Sequence, residues 1–276
     1  MKGGSTPAPL RATLIGGLRR LRRLLVPELL EYAPLGWDTP LGVGDQGWLA
    51  DEVAAEERRK WERFAELLAQ PGPLGFSHEA ASLTEVENLA FHNLHLTYGY
   101  ALLRAAWGKE AISVLDWGGG LGHYGLLARA LLPPEVALDY HCKEVRTLAK
   151  LGGEMAPQIT WHDDDRCLGS SYDLTLVSGS LQYIRDWQRF LQQIRNATRR
   201  YFFLTRTPVV REVPTFLAVQ RAYGTRMLHL QFNESELLAH LERLGFRLER
   251  EVVIGDRIYI RKGPEDALLK GWLFSV

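Results

Sequence analysis

From Ala111 onward, short apolar runs alternate regularly with amphipathic stretches. AISVLDW reads as a strand and HYGLLARALL as a helix that Pro133 and Pro134 end. VALDY reads as a second strand, and CKEVRTLAKL as a helix stopped by Gly152 and Gly153. ITWH and YDLTLVSG follow as strands, DWQRFLQQIRNA as a helix with Asp186 at its N-cap, and YFFLT as a fifth strand. Such alternation predicts βαβ units, hence a parallel sheet with helices on both faces. The end of the chain departs from this rhythm. Asn233-Glu-Ser-Glu236 caps a helix that stops at Gly245, and FRLEREVVI and RIYIR are joined by Gly255-Asp256. A short glycine turn between two extended runs predicts an antiparallel hairpin.

The first third follows another pattern. Between Tyr32 and Phe76, proline- and glycine-rich turns flank one helical stretch, roughly Leu49 to Leu68. Ser82-Leu-Thr-Glu85 reads as a capping box opening a long helix that Gly108 stops. The expected organisation is an N-terminal arm and helical cap over residues 1–82 and an α/β domain over 83–276.

Composition narrows the function. With 276 residues, 46% hydrophobic, the chain is long enough for a full core. Lysine and arginine total 33 against 33 acids, so no global field draws the protein to nucleic acid. The one asymmetry is LIGGLRRLRRLLVP, with arginines 19, 20, 22 and 23 and no acid before Glu28. A loosely attached arm and contact with an acidic membrane surface both fit it. Cys142 and Cys167 lie far apart, which suggests neither a disulfide framework nor a zinc cluster and fits a reducing cytoplasm. No apolar run approaches the ~20 residues that span a bilayer, and the N-terminus lacks the continuous apolar centre of a signal peptide.

The densest chemistry lies in VLDWGGGLGHYG, Val114 to Gly125. Counted from Gly120 it is G-x-G-x-x-G, the dinucleotide pattern. Counted from Asp116 it is an apolar strand, an acid, and glycines at 118, 119, 120 and 122. A pyrophosphate seated on the following helix would be repelled by a carboxylate at the end of that strand. A sulfonium cofactor with a free amino group has no phosphate, and Asp116 suits its amino acid end. Asp139, on the next strand, suits a ribose diol in either cofactor.

The run YDLTLVSGSLQYIRDW, together with VLDWGGGLGHYG, YFFLTRTPVV, VQRAYGTR and HLQFNESEL, resembles class I S-adenosylmethionine-dependent methyltransferases. More narrowly, it is similar to a little-characterised methyltransferase family, some members of which are associated with bacterial surface-polysaccharide genes. The class-level likeness covers about Ile112 to Gly263. It implies a Rossmann-like fold with a mostly parallel seven-stranded sheet ending in an antiparallel hairpin. It also implies S-adenosyl-L-methionine as cofactor, bound by Asp116, Gly118, Gly119, Gly120, Gly122, Asp139 and Asp163. In this sequence Tyr140-His141-Cys142 follow the second acid where an aliphatic is usual, which makes them candidates for adenine contact.

No compact motif announces a catalytic base. His123 at a helix start, Tyr183 after the fourth strand and Arg206 in LTRTP are the candidates for base, pocket wall and grip on an acidic acceptor. Asp163-Asp164-Asp165 reads better as solvated or capping than as a magnesium site, and His92 and His95, one helical face, read as packing rather than metal ligands. His229 and His240 support no triad, and no G-x-S-x-G is present. The expectation is methyl transfer to a small-molecule or carbohydrate-linked acceptor. The alternatives are an NAD(P)-dependent oxidoreductase and a non-catalytic binding module.

Overall fold

The computed structural model describes residues 30–42, 47–49, 51–78, 83 and 86–276. The basic stretch around arginines 19 to 23 and the Ser82–Glu85 capping box, apart from Leu83, lie outside the described residues. The strands are β1 (Leu30–Tyr32), β2 (Ala111–Trp117), β3 (Ala137–Lys143), β4 (Thr160–His162), β5 (Tyr172–Ser178), β6 (Thr198–Val210), β7 (Phe216–Ala222), β8 (Thr225–Asn233), β9 (Arg247–Ile258), β10 (Ile260–Arg261) and β11 (Ala267–Ser275). The helices are α1 (Asp51–Leu68), α2 (Leu89–Ala106), α3 (His123–Leu131), α4 (Arg146–Met155), α5 (Trp187–Ala197) and α6 (Glu234–Arg243).

Seven strands make the expected Rossmann-like layer, in the order β4-β3-β2-β5-β6-β11-β9. The first five are parallel, and β11 runs antiparallel between β6 and β9. Central β5 is buried along nearly its whole length, as a strand covered on both faces must be. Its one charge, Asp173, is offset by Lys109, by Arg199 at 3.1 Å and by the Ser113 amide at 3.0 Å. Helix α5 buries Trp187, Phe190, Leu191, Ile194 and Ala197, a single stripe at helical spacing, and Asp186 caps it as expected.

The elements differ from expectation in four places. Helix α2 begins at Leu89, where the Asn88 side chain accepts from the Ala90 and Phe91 amides. Strand β3 runs on through Tyr140-His141-Cys142 to Lys143, and α4 continues past Gly152 to Met155. Gly152 stays in the helix because a Cβ there would stand 2.3 Å from the Trp161 ring, so its missing side chain permits close packing rather than ending the helix. The C-terminal hairpin is present, but Gly255 lies inside β9, and β11 is the antiparallel partner.

A second, smaller group of strands extends the layer. β7 and β8 form a hairpin with only Tyr223 and Gly224 at its turn, both at positive φ (52° and 72°), the conformation a two-residue turn requires. β1 lies antiparallel to β7 and parallel to β10, so the N-terminal segment is stitched to the far edge of the sheet. Helix α1 packs on α3 and α4, over the carboxyl ends of β2 and β3. Among the described residues no helix is long and apolar enough to cross a membrane.

Candidate functional site

The carboxyl ends of β2, β3, β5 and β6 open into one cavity, the place where an open α/β sheet offers a ligand site. Its floor is Asp116 to Gly120, Glu144 and Ser178 to Ser180, and its roof brings in Trp48, Glu57, His78, Tyr183, Arg206 and Tyr223.

The glycine turn is tight for physical reasons that differ from residue to residue. Gly118 has φ 76°, donates its amide to the Lys143 carbonyl at 2.8 Å, and leaves no room for a Cβ beside Ser180. At Gly119 a Cβ would stand 2.2 Å from Asp116 Oδ2. Gly120, at φ 58°, donates to Glu144 Oε1 at 3.3 Å. Gly122 is the N-cap of α3 and faces Ile159 and Trp161, so its bareness serves helix packing and it does not line the cavity.

Asp116 is fully buried. Tyr140 donates to its Oδ2 at 2.9 Å, while Oδ1 has no hydrogen-bond partner. Burial pushes this carboxyl up to about 7, with the Tyr140 bond opposing the shift and the Glu144 charge adding to it. A cation brought to Oδ1 would oppose this shift and favour the ionised form.

The structure gathers some of the sequence candidates and leaves others outside. Asp116, Gly118, Gly119, Gly120, Tyr183 and Arg206 share the cavity. Asp139 does not: because β3 continues to Lys143, Asp139 sits within the strand, 66% exposed, beside His141 at 3.1 Å. The acid that the end of β3 delivers to the cavity is Glu144, whose carboxylate also accepts from the Val145 amide. Asp163 is outside too, exposed and paired with Arg146 at 3.1 Å. Its neighbours diverge: Asp164 caps a turn through the Arg166 amide, and Asp165 reaches Lys143 at 3.3 Å. Tyr140 and Cys142 are buried behind the glycine turn, and His141 meets His162 at 2.9 Å, so none of the three lines the cavity.

His123 is 1% exposed and stands behind the cavity wall, packed edge-on to Trp61 and Phe64 and stacked on His78. Tyr124 does line the cavity, and its hydroxyl accepts from Ser178 Oγ at 3.1 Å. Tyr183 donates to Gln220 at 2.6 Å and abuts Trp48 and His229, which fixes its ring as a wall. Arg206 sits in a left-handed backbone conformation, φ 54°, inside β6. His92 accepts from the Leu74 amide at 3.1 Å and His95 meets the Leu74 carbonyl at 2.8 Å, so the pair pins the loop before α2. Burial pushes His95 down to about 4.

Sequence reading missed Glu144, Trp48, Glu57, His78 and Tyr223. Glu144 had a signal, since the strand pattern of VALDY continues through HCK; the others come from the cap and hairpin, whose placement no local pattern encodes.

No protein-family model matches the chain, and no curated protein sequence matches it. Among solved structures it is similar to 1,6-didemethyltoxoflavin-N1-methyltransferase of Burkholderia thailandensis, which holds 1,6-didemethyltoxoflavin and S-adenosylhomocysteine. That pair shares 16% identity over 90% of this chain and 98% of the other, with a TM-score of 0.47. It is also similar to magnesium protoporphyrin IX methyltransferase from Synechocystis PCC 6803 with bound S-adenosylmethionine, at 13% identity over 83% and 99% of the two chains and a TM-score of 0.48. An S-adenosylmethionine-dependent methyltransferase from Clostridium acetobutylicum shares 11% identity over 66% and 92%, with a TM-score of 0.46.

Proposed function

We propose that this chain is an S-adenosylmethionine-dependent methyltransferase whose acceptor is a small or carbohydrate-linked molecule bearing an acidic group. The observation that carries the reading is the pair of carboxylates, Asp116 and Glu144, on either side of the glycine turn in one cavity. Asp116 there opposes a pyrophosphate, which disfavours the dinucleotide oxidoreductase; Glu144 suits a ribose diol in either cofactor, and the two together complement a cofactor that presents an ammonium and a ribose diol. In this reading Asp116 Oδ1 meets the amino acid end, Gly118 to Gly120 let backbone approach it, and Glu144 takes the ribose hydroxyls. Asp139 and Asp163 take no part.

Methyl transfer from a sulfonium is an in-line displacement, in which alignment of nucleophile, methyl and sulfur supplies ~7 to 11 kcal/mol. The chain's contribution is therefore mostly placement. Tyr183, Tyr223 and Trp48 wall the acceptor side, and Arg206 grips its acid with charge-assisted hydrogen bonds. Trp48, helix α1 and the loop to His78 serve as the acceptor-side cap, and the sheet from β2 onward carries the cofactor.

Calorimetric titration tests the cofactor: S-adenosylhomocysteine binds and NADH does not, and the reverse result overturns the reading. Transfer of labelled methyl to a panel of acidic saccharide precursors tests the activity. Tight cofactor binding with no transfer to any acceptor would instead favour a non-catalytic binding module.

A further inference from the structure

Glu57, His78 and His123 come from α1, the loop after it and the start of α3, and meet at one point of the cavity wall. One potential ligand atom from each lies within 4.8 Å of the other two, and Glu57 Oε2 is 4.0 Å from His123 Nδ1. Glu57 and His123 are buried at 5% and 1% exposure, while Glu57 and His78 also face the cavity. We infer that these three residues form a binding site for a divalent transition-metal ion, with at least one coordination position open to the cavity.

The ligand chemistry selects the metal. Two imidazoles and one carboxylate suit Zn²⁺, Mn²⁺, Fe²⁺ or Co²⁺, with zinc the best match to a three-ligand His₂Glu set that leaves one position open. Magnesium, which prefers oxygen ligands and water, does not suit an imidazole pair. Trp61, Phe64 and Phe76 form an apolar wall behind the imidazoles, the open side is the cavity, and the positive charges of Arg206 and Lys60 act on His78, so Glu57 supplies the negative charge an ion needs there.

The rings of His78 and His123 stack at 4.1 Å with planes 9° apart, so their lone pairs run side by side. Joint ligation of one ion therefore requires the His78 ring to turn about its Cβ–Cγ bond. His123 is packed by Trp61 and Phe64, and His78 by Phe64 and by His123 itself; of the two, His78 lies in the loop at the cavity edge, and the turn is assigned to it. The sequence gives no warning of the trio, because the residues are spread across 66 positions and share no short spacing (57 to 123).

Resting on the methyltransferase reading, the ion's role is to bind an acceptor hydroxyl at its open position and favour the alkoxide, supplying the activation for which no compact motif exists. The hydroxyl proton leaves to water, the new bond forms between the oxygen and the methyl carbon, and the carbon–sulfur bond breaks with its electron pair to sulfur.

The test begins with elemental analysis of the full chain, purified without chelator or affinity-tag metal. About one equivalent of zinc or another transition metal per chain is expected. After chelator treatment, Co²⁺ should give visible d–d absorption with imidazole ligation, and Mg²⁺ should not compete with it. His78→Ala and Glu57→Gln should each lower metal affinity more than roughly tenfold, while S-adenosylhomocysteine still binds. His78→Ala stands at the cavity edge and keeps the test decisive if Glu57→Gln disturbs packing. A chain that is metal-free as isolated and binds none of these ions on titration overturns the inference, as does full retention in both variants. Because homocysteine-cofactor binding is measured on the same samples, its failure would count against the methyltransferase reading alone.

Discussion

The Tyr140 hydroxyl donates a 2.9 Å hydrogen bond to Asp116, joining the middle of β3 to the end of β2 beneath the glycine turn. The bond favours the ionised carboxylate that burial opposes. Unfolded, this acid titrates near its ordinary 3.8; folded, near about 7. Between those values the folded cofactor-free protein holds the extra proton, so this group's contribution to stability is complete below about 4 and is lost as pH rises to about 7. Denaturation of the wild type and Asp116→Asn across that range should show a downward slope in the former that the latter lacks.

Binding of a cationic cofactor reverses the preference, since it needs Asp116 ionised. Affinity for S-adenosylhomocysteine should climb from pH 5 to about 7 and then level. Tyr140→Phe removes a hydrogen bond to a charged group and should move the midpoint upward by about one to two pH units. Calorimetry at several pH values gives the midpoint, and an unmoved one would sever the link between this bond and the cofactor.

Glu144→Gln should weaken S-adenosylhomocysteine binding by roughly tenfold or more, in line with a charge-assisted hydrogen bond. Asp139→Ala, on an exposed position of β3, should leave it unchanged. The two variants measured side by side decide which acid meets the ribose.

Arg206 holds a left-handed backbone that glycine adopts without steric cost and alanine does not. Arg206→Gly should therefore be more stable than Arg206→Ala by about 1 kcal/mol, the opposite of the usual order within a strand. Thermal melts give the difference. Both variants should bind cofactor normally and lose most kcat/KM on an acidic acceptor.

Gly119→Ala pushes a methyl into Asp116 and Cys142 and should cost several kcal/mol or prevent folding. Gly169→Ala, in open space at ordinary φ, should be within about 0.5 kcal/mol of wild type. Melting of the two proteins tests whether the turn's bareness is steric.

The parallel core was legible because each strand and helix from β2 to β6 carries its own period, and Asp186 and Asn233 announce their helices; the β7–β8 hairpin between them was not read. That Asp116 and the three glycines before Leu121 would stand together at a strand end was legible for the same reason, being local. Asp139 misled because strand ends are decided by pairing: Lys143 pairs with both Trp117 and His162, and these neighbours carry β3 beyond where its own sequence suggests a stop. Gly255 misled for another reason: it stands at φ 85° in an irregularity where the pairing with β11 skips from Arg257 to Val253, so β9 bulges there instead of turning back. Glu57, His78 and Tyr223 belong to segments brought over the cavity by tertiary packing, which leaves no periodic trace.

The cavity has two kinds of wall. The glycine turn, Glu144 and Ser178 to Ser180 belong to the parallel sheet, whereas Trp48, Glu57, His78 and Tyr223 arrive on segments outside it. Such a division separates what can drift from what cannot. Under the proposed methyltransferase reading, exchange of the cap and the β7–β8 hairpin between chains of this architecture would change the acceptor while leaving the sheet's side of the cavity intact, provided the graft keeps the buried face of α1 (Val53, Trp61, Phe64 and Leu67).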